Sequence, residues 1–456
     1  MNELSNILQP TSQEIKKRHV AKNKKIRLYQ KNTSKEFLQK SLKITGNIPV
    51  DLDVKDNDSF IFISHEQTHL THGLHKYPAK FFPELPKWLI QKYSKPGDKI
   101  IDPFSGSGTS NIEALLLSRN SIGIDIDPFA RFMSKVKTTK LDIGKLKHAE
   151  KQIFKSLLKY DENLVNKSDI PDFPYIKHWF QPFILLELAY IKRIIDTLDT
   201  TKNIRNFYLL CFSSIVRKIS NASNECTRTV IRKNHNKNIK PLDALHGFYN
   251  AVAVNILRYE DFHHSMPKNI TVEFPINMDA RNIKVDEGSF DFAITSPPYI
   301  NAVDYPRTHQ LELYWLGLCS NSLADLKKEH IGTENVYVKD YKKLHLIGVK
   351  ELDEKLEKVF KQDPRRSYIA YKYFNDMREN LSEVYKALKV GGRYALVVGN
   401  NNIRGEAFEN WKYLMELAKE AGFSIETFFS SKIIRHFMRF NATDKIKIDW
   451  IIVLKK

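Results

Sequence analysis

Cysteine is scarce in this chain, and long apolar runs are absent from it. The cysteines, Cys211, Cys226 and Cys319, are odd in number and widely separated, which argues against a disulfide framework and against a zinc cage. No apolar run approaches the roughly 20 residues that span a bilayer, and the polar N-terminus has no apolar signal-peptide core. These absences predict a protein of a reducing cytoplasm, with neither a membrane segment nor a metal centre.

Acidic residues are sparse in two stretches of a chain whose net charge is +19. Residues 1–50 carry eleven Lys and Arg against three Glu, and residues 201–240 carry nine against Glu225 alone. These two basic blocks hold most of the net charge. Basic charge concentrated in this way is typical of a surface that binds a polyanion such as nucleic acid, although a solvated arm explains the first block equally well.

The pattern of apolar residues divides the chain into four parts. We expect a basic N-terminal arm over residues 1–60, the first part of an α/β domain over 61–140, a largely helical insertion over 141–268, and the rest of the α/β domain over 269–456. A charged insertion, 305–370, interrupts the last part. The expected fold is therefore one α/β sheet domain built from discontinuous segments.

Local patterns predict individual elements of the α/β domain. The expected strands are Phe60–Ile63, Lys99–Asp102, Ser121–Asp127, Asn269–Asn277, Phe290–Thr295, Arg393–Gly399 and a closing hairpin of Ser424–Ile433 with Ile448–Leu454. The expected helices are Thr109–Ser118, Phe408–Ala421 and a helix through Phe374 and Leu388 that stops at Gly391 and Gly392. The early elements form a βαβ unit whose first turn is rich in glycine.

That first turn, Asp102-Pro-Phe-Ser-Gly-Ser-Gly-Thr109, follows a strand and opens a helix. Glycines there allow the backbone to approach a ligand closely, and the helix N-terminus adds unpaired N–H groups. The turn lacks the Gly-Lys-Ser/Thr ending of a P-loop, which disfavours ATP. Asp125 lies about 20 residues further on, where this topology holds a ribose hydroxyl, whereas Asp127, before Pro128, is explained equally well as a helix cap.

A second segment, Phe290-Asp-Phe-Ala-Ile-Thr-Ser-Pro-Pro-Tyr299, ends a buried strand in two prolines. Pro297 and Pro298 fix an extended backbone and have no N–H, so that local carbonyls remain free to accept hydrogen bonds. The segment resembles the catalytic loop of amino-group DNA methyltransferases, whose target, an exocyclic base amine, offers two N–H donors. Acceptors such as Ser296 and the Pro297 carbonyl favour the rehybridisation that the attack of this amine on a methyl group requires. Tyr299 would stack on a base rotated out of the duplex.

The cysteines bear on which kind of base methylation is chemically available. Covalent methylation at cytosine C5 requires a thiolate nucleophile, but no cysteine follows a proline or lies at a strand end. Direct in-line displacement by an amine, with positioning supplying much of the acceleration, is the favoured chemistry.

Together these segments resemble the motifs of the amino-group DNA methyltransferases of restriction–modification systems. The glycine turn is similar to their AdoMet-binding motif, Ser296-Pro-Pro-Tyr299 to their catalytic loop, and His75-Lys-Tyr-Pro-Ala-Lys-Phe81 to a cofactor element that can precede the turn. The resemblance covers roughly residues 72–130 and 279–454. It implies a Rossmann-like AdoMet-dependent methyltransferase sheet with a largely helical insertion, S-adenosyl-L-methionine as cofactor, and double-stranded DNA as partner in a prokaryotic, nucleoid-associated cytoplasmic setting.

The resemblance also assigns roles to residues. It implies that the cofactor contacts Tyr77, Pro78, Lys80, Asp102, Phe104, Gly106, Gly108, Thr109, Asp125 and Asp279, with Asp125 at the ribose and Asp279 near the adenine ring. It places Ser296, Pro297, Pro298 and Tyr299 in the catalytic loop. His72 and His75 look like paired metal ligands, but packing explains them better because no cluster of cysteines or carboxylates supports a metal.

The first residue of the catalytic loop bears on the target base. In this family Asp-Pro-Pro-Tyr and Asn-Pro-Pro-Tyr usually accompany adenine N6, whereas Ser-Pro-Pro-Tyr usually accompanies cytosine N4. Ser296 therefore implies a site-specific cytosine-N4 methyltransferase. The alternatives are an adenine-N6 methyltransferase, an RNA amino-group methyltransferase, for which no RNA-binding module is recognisable, and an inactive AdoMet-responsive DNA-binding protein, which the intact motifs disfavour.

DNA contacts are expected from the second basic block and from the segment after the catalytic loop. The candidate residues are Arg217, Lys218, Arg228, Arg232, Lys233 and Arg307. Their charge would position the protein on DNA without reading its sequence. The helical insertion is the first candidate for target recognition, and the 305–370 insertion could share that role. A cognate restriction endonuclease, where the system has one, is expected on a separate chain.

Overall fold

The computed structural model describes residues 41–65, 67–232, 237–300, 303–319, 322–433 and 448–456. Lys233 and most of the N-terminal arm lie outside these described residues. The strands are β1 (Leu42–Thr45), β2 (Ser59–Ile63), β3 (Lys99–Asp102), β4 (Asn120–Gly123), β5 (Val272–Glu273), β6 (Phe290–Thr295), β7 (Leu388–Gly399), β8 (Asn401–Ile403), β9 (Glu406–Phe408), β10 (Ser424–Lys432) and β11 (Ile448–Lys455).

The α-helices of the described residues follow the same chain order. They are α1 (Glu84–Tyr93), α2 (Thr109–Leu116), α3 (Pro128–Thr138), α4 (Ile143–Leu157), α5 (Ile176–Trp179), α6 (Pro182–Asp196), α7 (Lys202–Val216), α8 (Asp243–Ser265), α9 (Tyr305–Thr308), α10 (Gln310–Trp315), α11 (Leu323–Glu329), α12 (Lys350–Gln362), α13 (Pro364–Ala387) and α14 (Asn410–Glu420). Short 3₁₀ helices cover Leu70–Gly73, Glu162–Leu164, Lys167–Asp169 and Val338–Tyr341.

Nine of the described strands form one sheet, in the order β1-β2-β10-β11-β7-β6-β3-β4-β5. The strands from β7 to β5 run parallel, whereas β11 is antiparallel to both β7 and β10. The expected Rossmann-like sheet and its closing hairpin are therefore confirmed. Strands β3 and β6 are buried almost throughout, as strands covered on both faces by helices must be.

The order of the strands reverses between β3 and β6. From β3 the chain moves outward through β4 and β5 and then returns to place β6 on the other side of β3. Loops that leave the carboxyl ends of two such strands diverge and open a crevice, which is where doubly wound sheets bind their ligands. The glycine turn follows β3 and Ser296 follows β6, so both predicted motifs lie at this crevice.

Three predicted elements differ from the structure. The second strand ends at Gly123 instead of Asp127, because Ile124 turns toward the glycine loop, where its carbonyl accepts from the Ser105 N–H at 2.8 Å. The strand expected over Asn269–Asn277 shrinks to β5, which pairs with β4 through only two residues at the sheet edge.

The third difference concerns the glycine pair expected to stop a helix. Helix α13 ends earlier, at Ala387, and Gly391 and Gly392 lie inside β7. The pairing of β6 with β7 shifts register there, and Gly391 has a φ of 79°. The pair therefore forms a bulge, in which an L side chain would be strained at Gly391.

The helical insertion shares a hydrophobic core with the first part of the sheet domain. Buried residues of α6, α7 and α8, such as Leu188, Phe212 and Phe248, belong to the same cluster as Ile112 of α2 and Phe129 of α3. Packing at this density couples the positions of elements that share a core. The insertion is thus joined to the helices behind the glycine turn. None of the described helices is both long and apolar enough to cross a bilayer.

Candidate active site

A cleft of about 820 Å³, part of it open to solvent, lies at the carboxyl ends of β3 and β6. Ten of the residues predicted to bind the cofactor or the base line it: Tyr77, Lys80, Asp102, Phe104, Gly106, Thr109, Asp125, Asp279, Ser296 and Pro298. The cleft also takes Tyr305 and the run from Glu329 to Ile331 from the 305–370 insertion. The tertiary structure therefore brings three separate motifs and one unexpected segment to a single place.

The glycine turn owes its shape to two left-handed residues. Gly106 has a φ of 48°, and a Cβ there would lie 3.4 Å from the ring of Tyr77. Gly108 has a φ of 74° and begins α2, and a Cβ there would approach the Ser134 hydroxyl to 2.8 Å. Gly106 thus leaves the cleft open toward Tyr77, while Gly108 serves close packing against α3.

Asp125 is held by the backbone at the bottom of the cleft. Its Oδ2 accepts the Gly106 N–H and its Oδ1 accepts the Asp127 N–H, both at 2.8 Å. Burial, reinforced by the charge of Asp127, raises the pKa of Asp125 to about 6. A carboxylate fixed in this way still has lone pairs to accept a ligand hydroxyl, and such a donor would relieve part of the cost of burial.

Asp102 connects the two motifs. Its Oδ1 accepts the Phe104 N–H at 3.0 Å in the glycine turn and the Thr295 hydroxyl at 2.6 Å at the end of β6. Burial raises its pKa to about 6, although the bonds from Thr295 and Phe104 oppose that rise. The residue next to Thr295 is Ser296, so Asp102 fixes the start of the Ser296–Tyr299 loop relative to the glycine turn.

The segment before α1 forms one wall of the cleft through an aromatic stack. Tyr77 lies between Tyr305 and His309, with nearly parallel rings at centroid distances of 5.3 and 5.2 Å. Lys80 donates to the carbonyls of Gln67 and His72, and burial lowers its pKa to about 8. Pro78 is not among the residues that line the cleft.

His72 lies beside a carboxylate that the sequence pattern did not reveal. Its Nε2 is 2.7 Å from Glu113 Oε1, and His69, His72 and Glu113 are the one group of described residues with spacing suited to a metal ion. The pKa of His72 is well below its usual value because of burial and then the charges of His69, Lys80 and Lys137. The ammonium groups of Lys80 and Lys137 disfavour a bound cation. We therefore interpret the contact of His72 with Glu113 as a buried hydrogen bond between the segment before α1 and helix α2.

The catalytic loop is anchored by a strand far along the chain. The Tyr299 hydroxyl donates to Asp449 Oδ1 on β11 at 3.0 Å, and burial raises the pKa of Asp449 to about 6. Ser296 and Pro298 line the cleft, and Pro297 and Tyr299 belong to the same loop but are not among the lining residues. No motif signalled Asp449, because a single aspartate on a strand has no distinctive spacing.

Asp279 is tied to a neighbouring arginine. Arg281 donates Nη2 to its Oδ2 at 2.6 Å and Nε to its Oδ1 at 3.0 Å, and it also reaches Asp376. Burial alone would raise the pKa of Asp279, but these bonds lower it. The carboxylate is thus held ionised and oriented at the edge of the cleft. Arg281 was not anticipated, although its place two residues after Asp279 was available in the sequence.

The candidate DNA-binding residues are not equivalent. The Arg217 guanidinium is partly buried and donates to the carbonyls of Ser223, Cys226, Thr227 and Arg228, so it holds the basic loop together. Lys218, Arg228 and Arg232 are exposed, with Arg232 paired to Glu225, and Arg307 is half-buried. The Thr229 hydroxyl donates to the Thr308 carbonyl at 2.8 Å, which joins this loop to the helix that carries Arg307 and Tyr305.

Comparison with known proteins identifies relatives across most of the chain. Residues 6–135, which include the glycine turn and Asp125, match a family model described as DNA methylase. The type II methyltransferase M.MvaI of Kocuria varians is 28% identical over 77% of this chain and 82% of the relative, and M.BsoBI of Geobacillus stearothermophilus is 24% identical over 77% and 78%. A solved SAM-dependent methyltransferase of Methanosarcina mazei aligns over 84% of this chain and 98% of its own, with 12% identity and a TM-score of 0.29.

Proposed function

This chain belongs to the N6/N4 amino-group DNA methyltransferases of restriction–modification systems, and on that premise we propose that it methylates cytosine at N4 within a recognition sequence. Its cofactor is S-adenosyl-L-methionine, whose sulfonium supplies an activated methyl group. The observation that carries the proposal is Ser296, the first residue of the catalytic loop, in the cleft beside the glycine turn.

The cleft fits this cofactor on structural grounds. Gly106 leaves room for close approach of a ligand, Asp125 offers oriented acceptors for a ribose hydroxyl, and Asp279 and Ala280 line the same cleft. The adenine ring of the cofactor would be held between Asp279 and the residues that follow Asp125.

The residues of the catalytic loop act on the target amine. Ser296 Oγ and the Pro297 carbonyl accept hydrogen bonds from the two N–H groups of the amine. These bonds favour a pyramidal nitrogen, with a lone pair aimed at the methyl carbon. With S-adenosylmethionine held at Gly106, Asp125 and Asp279, its sulfonium would supply the methyl group to this amine, which would release one of its two protons to solvent. Tyr299, oriented by Asp449, supplies the aromatic surface that holds the flipped base.

The basic loop and its anchor support DNA as the polymer. Lys218 and Arg228 are exposed, and the bond from Thr229 to Thr308 connects their loop to the helix next to the cleft. We propose that these residues and Arg307 contact phosphates near the flipped base, while the rest of the helical insertion over 141–268 reads the target. Any partner endonuclease would be encoded on a separate chain, and both would act on DNA in the cytoplasm.

Analysis of methylated nucleosides tests the proposal. The purified protein is incubated with plasmid DNA and isotopically labelled S-adenosylmethionine, and the digested nucleosides are separated by mass spectrometry. N4-methylcytosine is expected. N6-methyladenine would overturn the choice of base, and a failure to label any DNA nucleoside would overturn the DNA methyltransferase activity itself. Transfer RNA in place of plasmid serves as the control for the polymer.

A further inference from the structure

Asp127 follows β4 and caps α3 with only one of its carboxylate oxygens. Oδ1 accepts the N–H groups of Phe129 and Ala130 at 2.8 and 3.3 Å. Oδ2 is buried and has no hydrogen-bond partner, and the residue is 1% exposed. Burying a carboxylate oxygen without a donor is costly, so such an atom indicates a donor that comes from outside the chain.

His330 faces that oxygen from the end of α11, in the 305–370 insertion. Its Nδ1 lies 2.7 Å from the Leu326 carbonyl, which can only accept, so Nδ1 carries a proton, and in the tautomer with no second proton Nε2 is an acceptor. Nε2 is also buried without a partner, 3.9 Å from Asp127 Oδ2. In that ring state neither atom has a donor within the chain, so the pair offers two acceptors, either of which could take the single proton of a ligand hydroxyl.

The gap lies beside the expected ribose site. Asp127 and His330 both line the cleft, and the Asp127 N–H is bonded to the carboxylate of Asp125. A ribose carries two adjacent hydroxyls, and Asp125 is placed to accept one of them. A second hydroxyl on the next ring carbon would reach Asp127 Oδ2, the stronger of the two remaining acceptors.

We propose that Asp127 and His330 form a second ribose-hydroxyl site, through which the 305–370 insertion closes over the cofactor. This inference rests on the proposed function only in taking the ligand to be S-adenosylmethionine. It assigns a cofactor-binding residue, His330, to the 305–370 insertion. The sequence had suggested that this insertion shares in DNA recognition.

Binding without DNA or turnover provides the test. S-adenosylhomocysteine, the demethylated cofactor, is titrated calorimetrically into the wild type and Asp127→Asn. The asparagine keeps Oδ1 as a helix cap and places an amide donor toward His330 Nε2, so that the chain itself fills the gap. We expect affinity to fall about 10-fold or more, the usual effect of losing a hydrogen bond to a charged group. His330→Phe should weaken binding less.

Deoxyribose analogues identify the group that is recognised. The test uses 2′-deoxy- and 3′-deoxy-S-adenosylhomocysteine. One of these two analogues should bind the wild type about 10-fold more weakly than S-adenosylhomocysteine does. The same analogue should bind Asp127→Asn as tightly as S-adenosylhomocysteine binds that variant. This non-additivity is expected because analogue and variant remove the same contact. The site would be overturned if Asp127→Asn bound S-adenosylhomocysteine as tightly as the wild type does. It would also be overturned if the losses of affinity caused by the variant and by each of the two analogues were fully additive.

Matched controls separate the contact from general damage. Asp142→Asn changes the corresponding cap of α4, and His264→Phe removes a second histidine whose Nδ1 lies within 2.6 Å of the carbonyl four residues earlier. Both should bind as the wild type does. If the wild type binds the probe and methylates DNA while Asp127→Asn shows no defect, only this inference fails. If the wild type binds no probe, the proposed function fails with it.

Discussion

The two halves of the cleft are held together in different ways. On the half around the glycine turn, called here the cofactor half after its proposed ligand, Asp125 is fixed by backbone N–H groups, the more distant only 19 residues away. On the catalytic half, Tyr299 is fixed by a side chain 150 residues away, and Thr295 by one 193 residues away. The cofactor half is therefore a local structure that one βαβ unit can form, whereas the catalytic half exists only when β11 and β3 have both joined the sheet.

The largest expected effects come from one substitution in each half. Ser296→Ala should lower kcat by about 100-fold or more, because one acceptor for the amine is lost, and leave cofactor affinity unchanged. Asp125→Asn should weaken cofactor binding by about 10- to 100-fold. Single-turnover methylation and calorimetric titration measure the two effects separately. Full activity of Ser296→Ala would contradict the proposed amine contact and remove the distinction between the halves.

Asp102, which joins the halves, should make stability depend on pH. Burial raises its pKa from 3.8 to about 6, so between these values the folded state retains a proton that the unfolded chain has released. This contribution favours folding at low pH and is lost as pH rises through 6, by up to about 3 kcal/mol.

Urea unfolding of the wild type and Asp102→Asn, from about pH 4 to about pH 7, measures this effect. The difference between their free energies of unfolding should change across that range, because the amide does not titrate. Two profiles that stay parallel would show that the Asp102 carboxyl titrates alike in both states.

The anchor of the catalytic loop should have an intermediate effect. Tyr299→Phe and Asp449→Ala should each lower kcat by about 10-fold, with cofactor affinity unchanged, because both leave the ring without its hydrogen bond. The double variant should be no slower than either single one. Tyr175→Phe, at an 80% exposed tyrosine, is the control. Additive losses would mean that the two residues act independently.

The smallest effects are expected in the basic loop, where two arginines should behave differently. Arg228→Gln should weaken DNA binding a few-fold and reduce the slope of log K against log salt by about 1, without changing the unfolding midpoint. Arg217→Gln should lower the free energy of unfolding by about 1–3 kcal/mol, because partly buried carbonyls lose the hydrogen bonds that the guanidinium donates to them. Filter binding over a salt series and thermal unfolding distinguish them. If Arg228→Gln lowered stability and Arg217→Gln weakened only DNA binding, the roles proposed for the two arginines would have to be exchanged.

Much of the fold could be predicted from local patterns. Lys99–Asp102 and Phe290–Thr295 were predicted with their correct ends because both are apolar runs bounded by turn residues. Gly391 and Gly392 misled the prediction, since a glycine pair after an apolar helix looks like a stop and only the register of β6 against β7 makes it a bulge. Asp127 was ambiguous in the sequence, and the structure shows a cap on one oxygen and an unpaired second oxygen.

Short segments of sequence were enough to indicate the chemistry proposed for this protein: a glycine turn after a strand, an aspartate beyond it, and a serine before two prolines. These are local signals, because the backbone conformation and hydrogen-bonding capacity they require belong to neighbouring residues. The residues that support these segments could be identified from the folded chain alone. Asp449 reaches Tyr299, Asp102 reaches Thr295 and His330 reaches the cleft through contacts between distant segments, and a lone side chain carries no pattern that would reveal its partner.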